Sequence, residues 1–381
     1  MFFTFFSLVS FATVMYGLWY FRSCHRAFAA FLSFFLLCGL LKTPVYVYAG
    51  GNMYSPQLPR ELVIYLAWCA GFLWLSFGFA LVIASLHLIP KIASAGEKFR
   101  SVAVCVCSLA AFATVALCGL NGLKEPALVQ HKIAVSFPAG ASGAAKTSLK
   151  IIQLSDLHLS SMVSDQWFDA LVETVNRARP DLIALTGDVA DGLVSERSKT
   201  VDRLKELKSV YGTVMIPGNH EYYVEYHRWM DLYRSMGFYV LENGAWSFRH
   251  GSVVVDVIGL ADEQASSLGG KAPLPDMDAA VAGLDTGAAG HVRILLKHRP
   301  KNASRFAGGK YRVDLMLCGH THGGMVPPVM PLAAFANSGY IRGAYDLGQA
   351  SLYVSDGTFL WNGFPFRLFT ENTVAEFLLE I

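Results

Sequence analysis

The sequence predicts an α/β globular domain preceded by an apolar helical region, and three observations predict it. Of 381 residues, 53% are hydrophobic and only 16% charged, with mean hydropathy +0.38, whereas soluble domains carry about 25% charged residues. Charge is also uneven: nine Asp, Glu, Lys and Arg residues lie in the first 120 positions and 51 in the remaining 261. Beyond residue 150, short apolar runs alternate with amphipathic helical patterns, the signature of an α/β domain.

The apolar third divides into spans. A helix crossing the hydrocarbon needs about 20 apolar residues. Met1 to Phe21, Leu62 to Ile89 and Ser101 to Leu120 reach that length without an Asp, Glu, Lys or Arg. Ala27 to Leu41 is shorter; a snorkelling Lys42 and extension past Pro44 through Val45 to Ala49 make it a fourth span. Arg22, Arg26, Lys91, Lys98 and Arg100 flank one side; Lys42, Arg60, Lys124 and Lys132 flank the other. With an uncharged N-terminus followed by Arg22 and Arg26, the expectation is an external N-terminus in a multi-pass cell-membrane protein, its C-terminal domain outside the cytoplasm.

Residues 121–149, rich in Ala, Gly, Ser and Lys, read as a linker, with HKIAVSF an edge strand at its start. LKIIQLS is the first strand of a domain spanning 150–381. Ser164 caps the helix DQWFDALVETVNRAR, which Pro180 ends. DLIALTG is a strand, ERSKTVDRLKELKS a helix, GTVMIPG a strand and Tyr222 to Met236 a helix stopped by Gly237. FYVLEN, SVVVDVIGL, VRILLKH, VDLMLCG, SLYVS and AEFLLEI complete the strands. The polar part has net charge −3 against +5 in the first 120 residues, so no basic nucleic-acid footprint exists. Six of seven cysteines lie in the apolar third and Cys318 stands alone in the polar part, which excludes a disulfide framework there.

Five clusters of candidate ligands each follow an apolar strand: SDLH, GD, GNHE, KH and GHTH. In open α/β sheets the carboxyl ends of strands are where ligands bind. Asp156 and His158, like His320 and His322, are two residues apart, and in extended chain such pairs share a side. Carboxylate, imidazole and amide oxygen without thiolate suit divalent ions of the Mn, Fe, Zn or Ni type.

These motifs, D-x-H, G-D, G-N-H-[DE], a lone His and G-H-x-H in that order, resemble the calcineurin-like metallophosphoesterase superfamily and its membrane-anchored branch. The resemblance covers about Lys150 to Ile381. It implies a four-layer α/β/β/α sandwich behind an anchor of about four helices (1–120). It also implies two divalent metal ions: Asp156, His158 and His322 at the first, Asn219, His298 and His320 at the second, and Asp188 bridging both. His220 would act at the leaving-group oxygen as the catalytic residue, with Glu221 orienting it. Met325 stands where this branch commonly has Gln, and ENTVAEF lacks the usual Pro-Glu; neither position is a ligand.

The implied function is a membrane-bound dinuclear phosphoesterase acting on a phosphomonoester, phosphodiester or pyrophosphate, with a lipid or lipid-linked substrate suggested by the anchor. No protein partner is implied. The alternative is a non-catalytic membrane protein whose phosphatase-like domain binds a metal or a partner. Two apolar stretches, Met325 to Ala336 and WNGFPFRLF, either pack over the sheet or form an apolar wall beside the site with Arg342 or Arg367 near phosphate.

Overall fold

The computed structural model describes residues 7–15, 26–50, 54–86, 97–134, 148–285, 290–327 and 329–381. It separates into two compact units, Met1–Leu123 with Asn362–Arg367, and Lys124–Trp361 with Leu368–Ile381.

In the first unit the helices Arg26–Tyr48, Arg60–Leu86 and Glu97–Gly122 each contain a stretch long and apolar enough to cross a membrane. Residues 7–15 are helical as well, but most of the expected first span lies outside the described residues. Phe35, Phe72 and Phe112, one from each long helix, meet edge to face at 5.7–6.5 Å. Gly39 lies so close to the neighbouring helix that a Cβ there would stand 2.5 Å from the Cys69 carbonyl oxygen, the small-residue contact on which helix association in lipid relies. The helix Arg26–Tyr48 runs through Pro44 as expected. Lys42, however, does not snorkel. It is buried, and its Nζ donates to the Gly363 carbonyl at 2.5 Å, with the rings of Tyr46 and Trp74 at 5.3 and 6.0 Å. A buried ammonium needs acceptors, and a peptide oxygen from Asn362–Arg367 supplies one.

The second unit is built on two six-stranded sheets. The first contains β1 (Ala127–Ala134), β2 (Ser148–Leu154), β3 (Leu182–Leu185), β4 (Thr213–Met215), β5 (Tyr239–Val240) and β12 (Thr373–Glu380), in the order β1-β12-β2-β3-β4-β5. The second contains β6 (Gly244–His250), β7 (Val253–Gly259), β8 (His291–Leu296), β9 (Leu315–Cys318), β10 (Gly343–Asp346) and β11 (Ser351–Val354), in the order β10-β11-β9-β8-β7-β6. β2 to β5 run parallel, as do β7, β8, β9 and β11. One apolar cluster fills the space between the sheets, contributed by Ile151, Leu182, Val214 and Phe377 from one and Val255, Ile294 and Leu317 from the other. A second covers the outer face of the second sheet, joining Ile258, Leu295 and Met316 to Met277, Ala280 and Val281 of the helix Met277–Val281. On the first sheet's side, the helices Asp165–Ala178 and Tyr226–Ser235 bury Trp167, Phe168, Leu171 and Val175, and Trp229, Met230 and Tyr233. The four-layer α/β/β/α sandwich is the fold observed.

Most expected elements form. The Ser164 side chain accepts from the Trp167 amide at 3.2 Å, and the helix closes at Arg179 in the left-handed conformation before Pro180. The helix expected over Tyr222 to Met236 is instead two, Asn219–Tyr223 and Tyr226–Ser235, broken where Glu225 takes φ +54° and its carboxylate accepts from the Val194 amide at 2.8 Å. β6 and β10, short or half-exposed strands without a strong apolar run, were not expected. β1 lies in the stretch read as linker, at the edge of its sheet and parallel to β12.

Two substitutions probe this account by thermal unfolding of the purified chain in detergent. Ser164→Ala removes the cap and is expected to cost about 1 kcal/mol. Ile294→Ala opens a cavity between the sheets and is expected to cost about 2–5 kcal/mol. Equal melting temperatures for the two variants contradict the core assignment.

Candidate metal centre

Five strand ends supply the site. β2, β3 and β4 are successive parallel neighbours in one sheet and β8 and β9 in the other, so the loops after them emerge on one rim. The loops are tied together through the backbone: Asp156 N donates to Gly187 O at 3.1 Å, His158 N to Asp188 O at 3.0 Å, and Gly319 N to His298 O at 2.8 Å. Every residue expected to bind metal is there. Asp156, His158 and His322 form one group, and Asp188, His298 and His320 another, each with one ligand atom per residue lying within 4.8 Å of the rest. Asn219 joins the second, its Oδ1 at 3.2 Å from His298 Nε2.

The local conformation differs from the extended pairs the spacing suggests. Asp156, His158, Asp188, His320 and His322 all have positive φ, between +42° and +72°. Non-glycine residues enter this region at a cost, and here the turn at each strand end carries the side chain back over the rim. The close approach of the GD and GNHE loops explains their glycines: a Cβ on Gly218 would lie 2.2 Å from Asp188 Oδ1, and one on Gly187 would lie 2.6 Å from Gly218 Cα.

Asp188 occupies the middle. Its Oδ1 accepts from the His220 backbone amide at 2.8 Å. Its Oδ2 lies 3.3 Å from His298 Nε2, 3.8 Å from His158 Nε2 and 3.9 Å from His220 Nε2. One carboxylate oxygen thus faces imidazoles of both groups. The ring nitrogens turned away from this centre have their own partners. His298 Nδ1 donates to the Thr186 carbonyl at 2.8 Å and His158 Nδ1 to Asp191 Oδ1 at 3.2 Å. Such outer bonds fix the tautomer that leaves Nε2 for a metal. Tyr223 does the same for an amide: its hydroxyl accepts from Asn219 Nδ2 at 3.2 Å, which leaves Oδ1 facing the centre.

Asp191 is the site residue missed at the sequence level. It is buried, and Oδ1 holds Nδ1 of both His158 and His220, the latter at 2.5 Å. Its position three residues after Asp188 in GDVADG was the available signal. Glu221 does not orient His220 as expected. Its carboxylate accepts the amides of Asp188, Val189 and Gly218 at 2.7–3.0 Å, bracing the two loops against each other. Arg342 Nη1 donates to Phe369 O at 2.5 Å. Arg367 is buried among the first unit's residues, its backbone amide on Cys118 O.

The donor set fits divalent cations by its chemistry. Burial disfavours the charge of Asp188, yet His298 and His220 beside it hold it well below the usual carboxylate range. Burial likewise opposes protonation of His298 and His220, but Asp188 and its neighbouring carboxylates outweigh it and push them up to about 10 and about 9. Burial pushes Asp156 up, with Asp188 adding repulsion. Carboxylates and imidazoles thus face one another across a buried centre, and a divalent cation could take the place of the imidazolium protons there.

Residues 149–324 match the calcineurin-like phosphoesterase family. The chain is 34% identical over 234 residues to an uncharacterized metallophosphoesterase of Campylobacter jejuni, covering 60% of this chain and 59% of that one. It is 30% identical over 269 residues to a transmembrane protein with metallophosphoesterase domain of Bos taurus, covering 68% and 59%, and 30% identical over 295 residues to one of the same description from Danio rerio, covering 76% and 64%. It thus spans about three fifths of the length of these relatives.

Tyr223→Phe tests the arrangement of Asn219. Losing the hydroxyl acceptor is expected to weaken manganese binding by about tenfold or more, as outer partners of metal ligands do, read by titration calorimetry with elemental analysis. Unchanged affinity means the amide needs no such anchor.

Proposed function

Because the chain belongs to the calcineurin-like phosphoesterase family, we propose that it is a membrane-bound phosphoesterase with a dinuclear divalent-metal centre, hydrolysing a phosphomonoester, phosphodiester or pyrophosphate. The observation that carries this reading is the placement of Asp188 Oδ2 against imidazoles of both ligand groups, with His220 anchored beside it. Asp156, His158 and His322 would hold one ion, Asn219, His298 and His320 the other, and Asp188 both. Manganese, iron, zinc or nickel suits these nitrogen and oxygen donors. When bound, the ions supply Lewis acidity toward phosphoryl oxygens and toward water.

The rest is done by the chain. His220 Nδ1 is fixed on Asp191, so Nε2 is the nitrogen that meets substrate, and it hands a proton to the leaving-group oxygen. Asp191 holds the ring in that orientation and favours its charged form. The glycine-braced turns keep the ligand side chains from relaxing outward when substrate enters.

The candidate membrane-crossing helices favour a substrate resident in the bilayer. A second observation supports this: in the helix Met330–Ala336, Leu332 is 70% and Phe335 89% exposed, and nearby Phe369 is 74% exposed. These side chains are exposed rather than packed over the sheet, and apolar surface on the helix that follows the GHTH loop suits lipid contact.

Two assays test the proposal. With manganese and a chromogenic phosphodiester, His220→Ala is expected to lower kcat by about 10²- to 10⁴-fold; full activity in His220→Ala and in Asp188→Asn defeats the enzymatic reading. For lipid contact, turnover of a phospholipid ester in vesicles is compared with that of a soluble nitrophenyl ester in the variant Leu332→Ser with Phe335→Ser. A loss of about tenfold on the vesicle substrate alone is expected, corresponding to about 1.5–3 kcal/mol for each buried apolar side chain discounted for partial insertion. Equal losses on both substrates remove the lipid contact.

A further inference from the structure

We propose that the group expelled by this site carries a flat unsaturated ring, held against Tyr223 and Trp361 beside His220. The inference rests on the phosphoesterase reading above and names the chemistry of one half of its substrate. It follows from what surrounds the imidazole that would protonate the leaving oxygen. One side of the His220 ring is closed by His158, with ring centroids 4.5 Å apart, and Nδ1 is closed by Asp191. Beyond Asp188 near Nε2, two ring neighbours are aromatic: the Tyr223 ring at 5.0 Å, tilted by 56°, and the Trp361 ring at 6.1 Å, edge-on at 69°.

Both rings come from elements that hold them in place. Tyr223 lies one turn after His220 in the helix Asn219–Tyr223, and its hydroxyl is bound by Asn219. Trp361 follows β11, in the segment where Thr358 and Phe359 donate backbone amides to Ser155 O and Asp156 O at 2.7 and 3.2 Å. Tyr223 nevertheless stays 39% exposed, while the His220 side chain is only 9% exposed. A buried acid behind a presented aromatic face is reached by a group that can lie along that face while its bridging oxygen meets Nε2. Aromatic rings favour edge-to-face or offset contact with another π-system, about 0.5–1.5 kcal/mol beyond area burial, an advantage a saturated group of equal size lacks.

The test uses the full-length, manganese-loaded chain in detergent. Methyl phenyl phosphate and methyl hexafluoroisopropyl phosphate share the retained methyl phosphoryl group and expel groups of similar acidity. The expected kcat/KM favours the phenyl ester by about tenfold, and Trp361→Ala brings the ratio near unity while Trp361→Phe keeps it. A binding measurement free of turnover accompanies it: benzyl(methyl)phosphinate, with carbon in place of the bridging oxygen, should bind about tenfold more tightly than cyclohexylmethyl(methyl)phosphinate by calorimetry. Hydrolysis of both esters at equal efficiency, or equal affinity for the two phosphinates, overturns the aromatic slot and leaves the phosphoesterase reading standing. Hydrolysis of neither ester overturns that reading and the slot with it.

Discussion

The left-handed backbone at Asp156, His158, Asp188, His320 and His322 is the constraint on which the rest of the second unit depends. Each such residue costs on the order of 1–3 kcal/mol relative to a relaxed conformation, and five of them stand on one rim. A strain of that size persists only where the surroundings leave the chain no alternative. The surroundings here are two sheets sharing one buried apolar core, and loops cross-linked by backbone hydrogen bonds between 2.8 and 3.1 Å. The sandwich therefore does more than carry the site. Its core energy is what holds ligand side chains in positions their own backbones disfavour.

The same reasoning applies to the buried charges. Asp188, Asp191, Asp156 and Glu221 are all buried within a few residues' reach of one another, an arrangement that repels itself in a low-dielectric interior. Each is offset in a different way. Glu221 accepts three backbone amides. Asp156 accepts the Ser155 hydroxyl and the His320 amide. Asp191 lies between two imidazoles, which against the cost of burial hold it at about 2. Asp188 has a single backbone donor and otherwise faces imidazole nitrogen. The carboxylate in the centre is thus the one surrounded by imidazole nitrogens of both ligand groups, and a shared oxygen among nitrogen donors is the arrangement a cation fits.

How far the sequence foretold this follows from the range of each interaction. The candidate ligands were legible because strand periodicity and Asp, Asn and His placed just after it are local signals, and their order along the chain is specific. The parallel order β2-β3-β4 and β8-β9 then needs only ordinary crossover rules to bring them together. Asp191 was harder to see, since its task depends on two rings contributed from elsewhere, His158 and His220, whose orientation no local pattern encodes. The break at Glu225 was invisible for the same reason: its carboxylate bonds the Val194 amide, 31 residues away. Lys42 illustrates the reverse failure. An isolated lysine near a span's end reads as snorkelling because the sequence pattern holds no acceptor for it, and the acceptor is a peptide oxygen more than 300 residues later.

Apolar exposure separates the two units' solvents. In the first, Phe34, Leu109, Leu117 and Leu120 are more than half exposed on helices with no polar face, which water would not tolerate but hydrocarbon would. In the second, most large apolar residues are buried, and a protein that hides its apolar surface so thoroughly gives meaning to the few it does not. Val210 and Leu274 stand singly, as isolated exposed residues do on any soluble surface. Leu332 and Phe335 are different, since they lie three residues apart on one short helix, and Phe369 is drawn to the same region. The Leu368 amide donates to Met325 O at 2.9 Å, and Arg342 bonds Phe369 O. Arg342 is thereby tied to the backbone of one of these exposed apolar residues. Met325 directly follows the GHTHGG loop, so only a short stretch of sequence separates His322 from the helix Met330–Ala336 that carries Leu332 and Phe335.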